Sequence, residues 1–227
     1  RLPVETESYI DLDWSQSGAL TGISETLNGS FYAFKWSHIY KIQRTGNADM
    51  AYQAYLMSAA HGALPGSIVS GMDEFGRGCV YFLDPAVGPM RVGAAGIQYL
   101  RNIRGSWRRV NTNAKRVACH GVYYTAKQQM HWWVAVDGAD SPNLKLVLQV
   151  NEVQAQGDTA RRGWSLATGR LAEAACSTMV PEIVQDAETE ALFLVSIPYV
   201  GLSDPDYICR CDTGDTDNGT PYTASII

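Results

Sequence analysis

The chain has 227 residues, of which 46% are hydrophobic and 18% charged. That length can bury a sizeable core in one or two domains, and the balance excludes an intrinsically disordered chain. A formal charge of −5 disfavours a surface that binds nucleic acid all over, and no apolar run reaches the roughly 18 residues that would span a bilayer.

In chain order, DWSQSGALTG (13–22) is a polar stretch carrying Trp14. FYAFK and IYKIQ then flank the polar break WSH, and two apolar, aromatic-rich runs around such a break predict a β-hairpin over 31–42. AYQAYLMS follows, with Tyr52 and Tyr55, and a second hairpin is predicted over 79–93, CVYFLD-PAVGP-MRVG. GSWRRVNTNA brings Trp107, then MHWWVAV-DGADSPN-LKLVLQVNE predicts a third hairpin over 130–150. RGWSLATGR brings Trp164, and ALFLVSI-PYVGLSDPD-YICRC predicts a fourth over 191–211. GRLAEAACSTM (169–179) is the best helical candidate, and it reads equally well as an outer strand and loop.

The hairpins recur roughly every 50 to 60 residues, a period that marks propellers and other repeat architectures. One unit reads as a polar outer strand carrying an aromatic, a loop, and two buried inner strands. In the second unit Tyr52 and Tyr55 stand in for the tryptophan. The inner runs are almost continuously apolar, as strands covered on both faces are. The expected fold is all-β, a β-propeller or a portion of one with about four blade-like hairpin units, in a single domain over 1–227. The aromatics of 29–44 are expected as core. Trp132 and Trp133 are expected on opposite faces of one strand, packed against the preceding and the following blade.

A catalytic reading must find its residues. No nucleophile elbow, zinc-protease helix, P-loop or dinucleotide-binding string occurs. The histidines, His38, His61, His120 and His131, are far apart in sequence. The carboxylate pairs Asp73/Glu74, Asp137/Asp140 and Asp204/Asp206 could serve a glycosidase across a funnel, but Asp also favours turns by bonding its own backbone. DTGDTDNG opens like a calcium loop at Asp215 and Asp217 but lacks the later ligands, so a plain turn is expected. The five cysteines are expected to be reduced and buried. No cofactor and no catalytic residue is expected. One basic cluster stands out, Arg101, Arg104, Arg108, Arg109, Lys115 and Arg116. It reads as a solvated outer strand, as a contact with an acidic neighbouring subunit, or as a contact with DNA in a channel.

Several stretches carry a resemblance. ALTGISETLNGSFYAFKWSHIYKI, HGALPGSIVSGMDEFGRGCVYFLDPAVGPMRVGAAGIQYL, MHWWVAVDGADSPNLKLVLQVNE with GWSLATG, and YICRCDTGDTDNGTPYTASII resemble, in order, successive motifs of β-propeller proteins in the tails and head–tail connectors of tailed bacteriophages. The second stretch departs from the pattern, with PAVGPMRVGAA standing where a shorter turn is usual. The resemblance implies a non-enzymatic virion protein, nozzle- or hub-like. It would form a cyclic homo-oligomeric ring with other virion proteins, DNA passing through a channel, and have no membrane insertion. The competing reading is a carbohydrate-binding or glycoside-cleaving propeller. A scaffold of the WD-repeat kind fits less well, because the regularly spaced G-H and W-D dipeptides are missing. The start at Arg1 fits a processed protein or a piece of a longer one. The apolar end ASII is expected to need closure by an N-terminal strand, further sequence or another subunit.

Overall fold

The computed structural model describes residues 10, 12, 18–47, 51–100, 103–113, 118–150 and 163–168, and from 172 to 226 a set of strand segments as backbone. The first four strands, β1 (Leu20–Ile23), β2 (Ser30–Lys35), β3 (Ile39–Arg44) and β4 (Tyr52–Ser58), form an antiparallel meander. A second meander follows, β5 (Val69–Met72), β6 (Gly78–Asp84), β7 (Gly88–Gly93) and β8 (Gly96–Tyr99). A single helical turn, α1 (Arg104–Trp107), leads to the third, β9 (Cys119–Tyr124), β10 (Gln129–Val134), β11 (Leu144–Gln149) and β12 (Trp164–Thr168). Beyond it lie β13 (Ala172–Thr178), β14 (Ile183–Gln185), β15 (Leu192–Leu194), β16 (Ile197–Ser203), β17 (Asp206–Arg210), β18 (Thr216–Asp217), β19 (Thr220–Pro221) and β20 (Thr223–Ile226). β13, β16 and β17 make a three-stranded sheet, β14–β15 and β18–β19 are small pairs, and β20 joins β12 as a fifth strand of the third sheet. The fold is all-β, and no described sheet closes on itself.

The core explains why the hairpin strands read as continuous apolar runs. Side chains alternate across a strand, and the second sheet is covered on both faces. On one face Val80, Phe82, Met90 and Val92 meet Tyr32, Phe34 and Ile39 of the first sheet. On the other, Cys79, Tyr81 and Leu83 meet Met130, Trp132 and Val134 of the third. Every residue from Cys79 to Asp84 is buried as a result. Trp132 is fully buried and donates its indole N–H to the Ser67 carbonyl at 3.0 Å, next to the second sheet. Trp133 lies on the opposite face, where Lys145 covers its ring. At the β9 side of this sheet, β13 and β16 pack alongside.

The first strands of successive sheets approach closely, and glycine makes room for it. Gly22 in β1, Gly71 in β5 and Gly121 in β9 stand 49 and 50 residues apart. A methyl group on Gly71 would sit 2.7 Å from the Tyr123 ring, and one on Gly121 would sit 2.5 Å from Val69. On Gly22 it would meet Ile68 at 2.6 Å. Sheets stacked face to face normally keep about 10 Å between them. Side chain against bare backbone is how these converge at one edge.

Several sequence expectations need correction. The hairpins of 31–42, 79–93 and 130–150 are inner strands as expected, but each is the middle pair of a meander, with one strand before it and another after it. The unit boundary therefore moves. AYQAYLMS is β4 of the first sheet and Trp164 opens β12 of the third, each paired with the hairpin before it. Trp107 sits on α1, not on a strand, and Trp14 lies outside the described residues. PAVGPMRVGAA is not an inserted turn, since Gly88–Gly93 is strand β7 and a tight turn carries the chain into β8. In the fourth hairpin the expected turn 198–206 is mostly strand β16, paired on both sides. Gly and Pro suggested a break there, but Tyr199, Val200 and Leu202 are β formers, and pairing with β13 and β17 outweighs local turn preference. The 169–179 segment contains strand β13, not a helix. The apolar C-terminus is paired with β12 within the same chain.

Candidate functional site

The basic cluster is only partly placed. Arg101, Lys115 and Arg116 lie outside the described residues, and Arg104 is the first residue of α1. The turn is held down by Ile103 and Trp107, both in the core, with the Trp107 ring lying over Gly88. Arg108 and Arg109 follow it on the surface. Arg109 forks onto both carboxylate oxygens of Asp137, while the Asp137 N–H donates to the Arg109 carbonyl at 2.9 Å. Asp137 and Gly138 both have positive φ, 55° and 82°, as the central pair of a tight turn from Val136 to Ala139 within the β10–β11 loop requires. Hydrogen bonding to Arg109 holds the Asp137 carboxyl below its usual range. Arg109 is thus paired within the chain, and of the cluster's described side chains Arg108 is the one left exposed to face a partner.

Of the carboxylates considered for glycoside chemistry, Asp73, Glu74 and Asp137 are held in ion pairs, and Asp140 is exposed. Asp73 closes the β5–β6 turn, accepting from the Phe75 and Arg77 backbone N–H groups at 2.9 and 2.8 Å and from the Arg77 side chain. Burial pushes its carboxyl up, but these bonds outweigh burial and hold it low. Glu74 and Arg91 form a buried bidentate ion pair, and Arg91 also donates to Gln98 at 2.7 Å. The hydrogen bonds from Arg91 lower the Glu74 carboxyl, and Glu74 raises the Arg91 guanidinium. Asp204 and Asp215 lie outside the described residues, and Asp206 and Asp217 are placed as backbone only. Among the described residues no group of three or more His, Cys, Asp and Glu is arranged to hold a metal ion.

One constellation escaped the sequence. His61 and Tyr99, 38 residues apart, meet with Nε2 and Oη at 2.8 Å. His61 Nδ1 lies 3.5 Å from Asp84 Oδ2. A carboxylate, imidazole and hydroxyl in a row suggest a proton relay, but the surroundings give them a structural task. The buried Asp84 carboxylate accepts backbone N–H bonds from Gly62 at 2.9 Å, Ala86 at 2.8 Å and Val87 at 2.9 Å. It ties the crossover between the first two sheets to the β6–β7 turn, and His61–Tyr99 ties the same crossover to β8. No spacing motif could have revealed this, because a long-range sheet-to-sheet crossover creates the contact.

His131 is a buried histidine with a perturbed pKa. It is buried between the edges of Tyr124 and Trp133. Nε2 lies 2.9 Å from Gln129 Oε1, and Nδ1 is buried without a partner. Burial, and then Lys145 and Lys127, push its pKa well below the usual value. Cys79 and Cys119 are free and buried, and burial pushes their thiols up to about 11 and about 12. Neither is a ready nucleophile, since the thiolate is the reactive form.

No family model and no curated protein matches this chain.

Proposed function

We propose that the chain is a non-enzymatic structural protein of propeller type, built into a tailed-phage virion as a tail or head–tail component and assembled there into a ring. The observation that carries the propeller reading is the repeat of Gly22, Gly71 and Gly121 on the first strands of three face-to-face sheets. Sheets that approach this closely at their first strands can stack around an axis, as propeller blades do. The resemblance of the ordered motifs to phage propeller proteins supplies the virion setting. The engagement of Asp73, Glu74 and Asp137 in ion pairs favours this over glycoside cleavage, which needs two carboxylates free to face a substrate. Arg108, with Arg101, Arg104, Arg109, Lys115 and Arg116 nearby in sequence, is the proposed contact with an acidic neighbouring subunit, and DNA in a channel is the other partner for this stretch.

The test is electron microscopy of the purified protein together with light scattering at several salt concentrations. A ring whose mass falls with salt, and falls further when Arg108 and Arg109 are reversed to Glu, supports the reading. A monomer at every salt concentration, unchanged by the reversal, rejects the assembly.

A further inference from the structure

Three side chains meet where the crossover between the first two sheets passes the ends of β6 and β8, and each is carried by pinned backbone. His61 precedes Gly62, where a methyl group would sit 2.3 Å from the Lys35 and Trp36 backbone, and the His61 N–H donates to Ser58 Oγ at 3.1 Å. Asp84 closes β6 and is fixed by the N–H groups of Gly62, Ala86 and Val87. Tyr99 closes β8 opposite Met90, and the next residue, Leu100, donates its N–H to the Pro89 carbonyl at 3.0 Å. This frame sets His61 Nε2 against Tyr99 Oη at 2.8 Å. His61 Nδ1 is buried with no hydrogen-bond partner, and the Asp84 carboxylate stands 3.5 Å from it. A neutral imidazole donates from one ring nitrogen and accepts at the other. A carboxylate facing Nδ1 favours the proton there, which leaves Nε2 to accept from the tyrosine hydroxyl. Asp84 is 1% exposed and Tyr99 50%, so the row runs from a buried charge to a hydroxyl that solvent molecules reach.

We infer that Tyr99 is an acyl-acceptor site: a nucleophilic hydroxyl with His61 as its general base and Asp84 as the positioning residue, taking a small acyl group from an activated ester or thioester. Tyr99 Oη attacks the acyl carbonyl carbon and forms the new C–O bond. Its proton passes to His61 Nε2, the bond to the leaving alkoxide or thiolate breaks, and His61 returns the proton to that leaving group. The chain ends as an O-acyl tyrosine ester, with nothing oxidised or reduced. The imidazolium formed midway lies beside the buried Asp84 carboxylate, which stabilises the charge as it develops. The group transferred is small because half of the Tyr99 side chain is covered. Tyr52 and Tyr55 supply the contrast. They are 44% and 46% exposed, close to Tyr99, but Tyr55 Oη donates to the Gln53 side chain and the Tyr52 ring packs edge-on against Phe31. The step modifies the chain itself, so it stands or falls apart from any ring the chain forms.

The experiment exposes the full chain to p-nitrophenyl acetate and reads O-acetylation at each tyrosine by peptide mass spectrometry. Tyr99 should react at least about tenfold faster than Tyr52 and Tyr55, the low side of what a positioned general base contributes. His61→Gln should bring Tyr99 down to their rate, with a thermal melt to check that the variant is folded. In the unaltered chain the Tyr99 rate should level off as pH rises from about 6 to about 9, whereas a free phenol, with a pKa of about 10, keeps accelerating over that range. This profile reads the base without any substitution. The inference is overturned by Tyr99 reacting no faster than Tyr52 and Tyr55, by a rate that folded His61→Gln leaves unchanged, or by a profile that climbs throughout.

Discussion

Replacing Trp132 with alanine removes the largest fully buried side chain between the second and third sheets. The indole stacks on Trp164 at 6.2 Å between ring centroids and meets Tyr81 edge-on at 6.4 Å. Its N–H donates to Ser67, whose own hydroxyl accepts from the Leu83 backbone and donates to the Leu64 carbonyl. Truncation of a buried tryptophan costs about 3–5 kcal/mol. The upper part of that range is expected, because the Ser67 carbonyl loses its indole donor and the sheets on either side resist collapse into the cavity. Trp132→Phe keeps most of the apolar volume and isolates the hydrogen bond, at about 1–2 kcal/mol. Urea denaturation followed by far-ultraviolet circular dichroism measures both variants. A loss under 1 kcal/mol for the alanine variant would refute the reasoning, since it would mean that Trp132 is not sandwiched between sheets.

Four other outcomes are expected. Gly121→Val should destabilise by at least about 1–3 kcal/mol through overpacking against Val69 and Trp132; Gly105→Ala, with nothing within 4 Å, should not destabilise, and thermal melts compare the two. Glu74→Gln should cost about 3–5 kcal/mol by leaving Arg91 buried without its counter-ion, and the double change Glu74→Gln with Arg91→Met should recover part of that loss in denaturant titration. His131 has its pKa lowered in the folded state by burial, Lys145 and Lys127, so below about pH 6.5 the unfolded chain takes up a proton that the folded chain refuses. Its contribution is complete above that pH and falls as pH drops, by at most about 1.4 kcal/mol per pH unit; His131→Gln should flatten this acid slope in melts from pH 7.5 to 5, and an unchanged slope would show that the ring is solvated. Finally, site-resolved alkylation at pH 8 should leave Cys79 and Cys119 unmodified in the folded chain and label both in denaturant; labelling at native rates would contradict their burial.

The sequence by itself determined the strand content and the three hairpins of 31–42, 79–93 and 130–150. Their apolar runs are dense enough that only strands covered on both faces can use them, so local pattern and tertiary burial agree. It also determined that Trp132 and Trp133 divide between two faces, because a strand has no other choice. What only the tertiary structure decided was membership and partnership. AYQAYLMS and Trp164 belong to the sheets behind them because antiparallel pairing favours the strand just left, and strand sequence carries no label for its neighbour. PYVGLS became a strand because two flanking strands were available to it, against its own glycine and proline. His61, Asp84 and Tyr99 meet through a sheet-to-sheet crossover that no spacing encodes. Arg109 pairs with Asp137 because the turn at 136–139 in the β10–β11 loop puts that carboxylate within reach of its guanidinium. The glycines at 22, 71 and 121 were visible as letters, but their purpose appears only when the next sheet's side chains close on them.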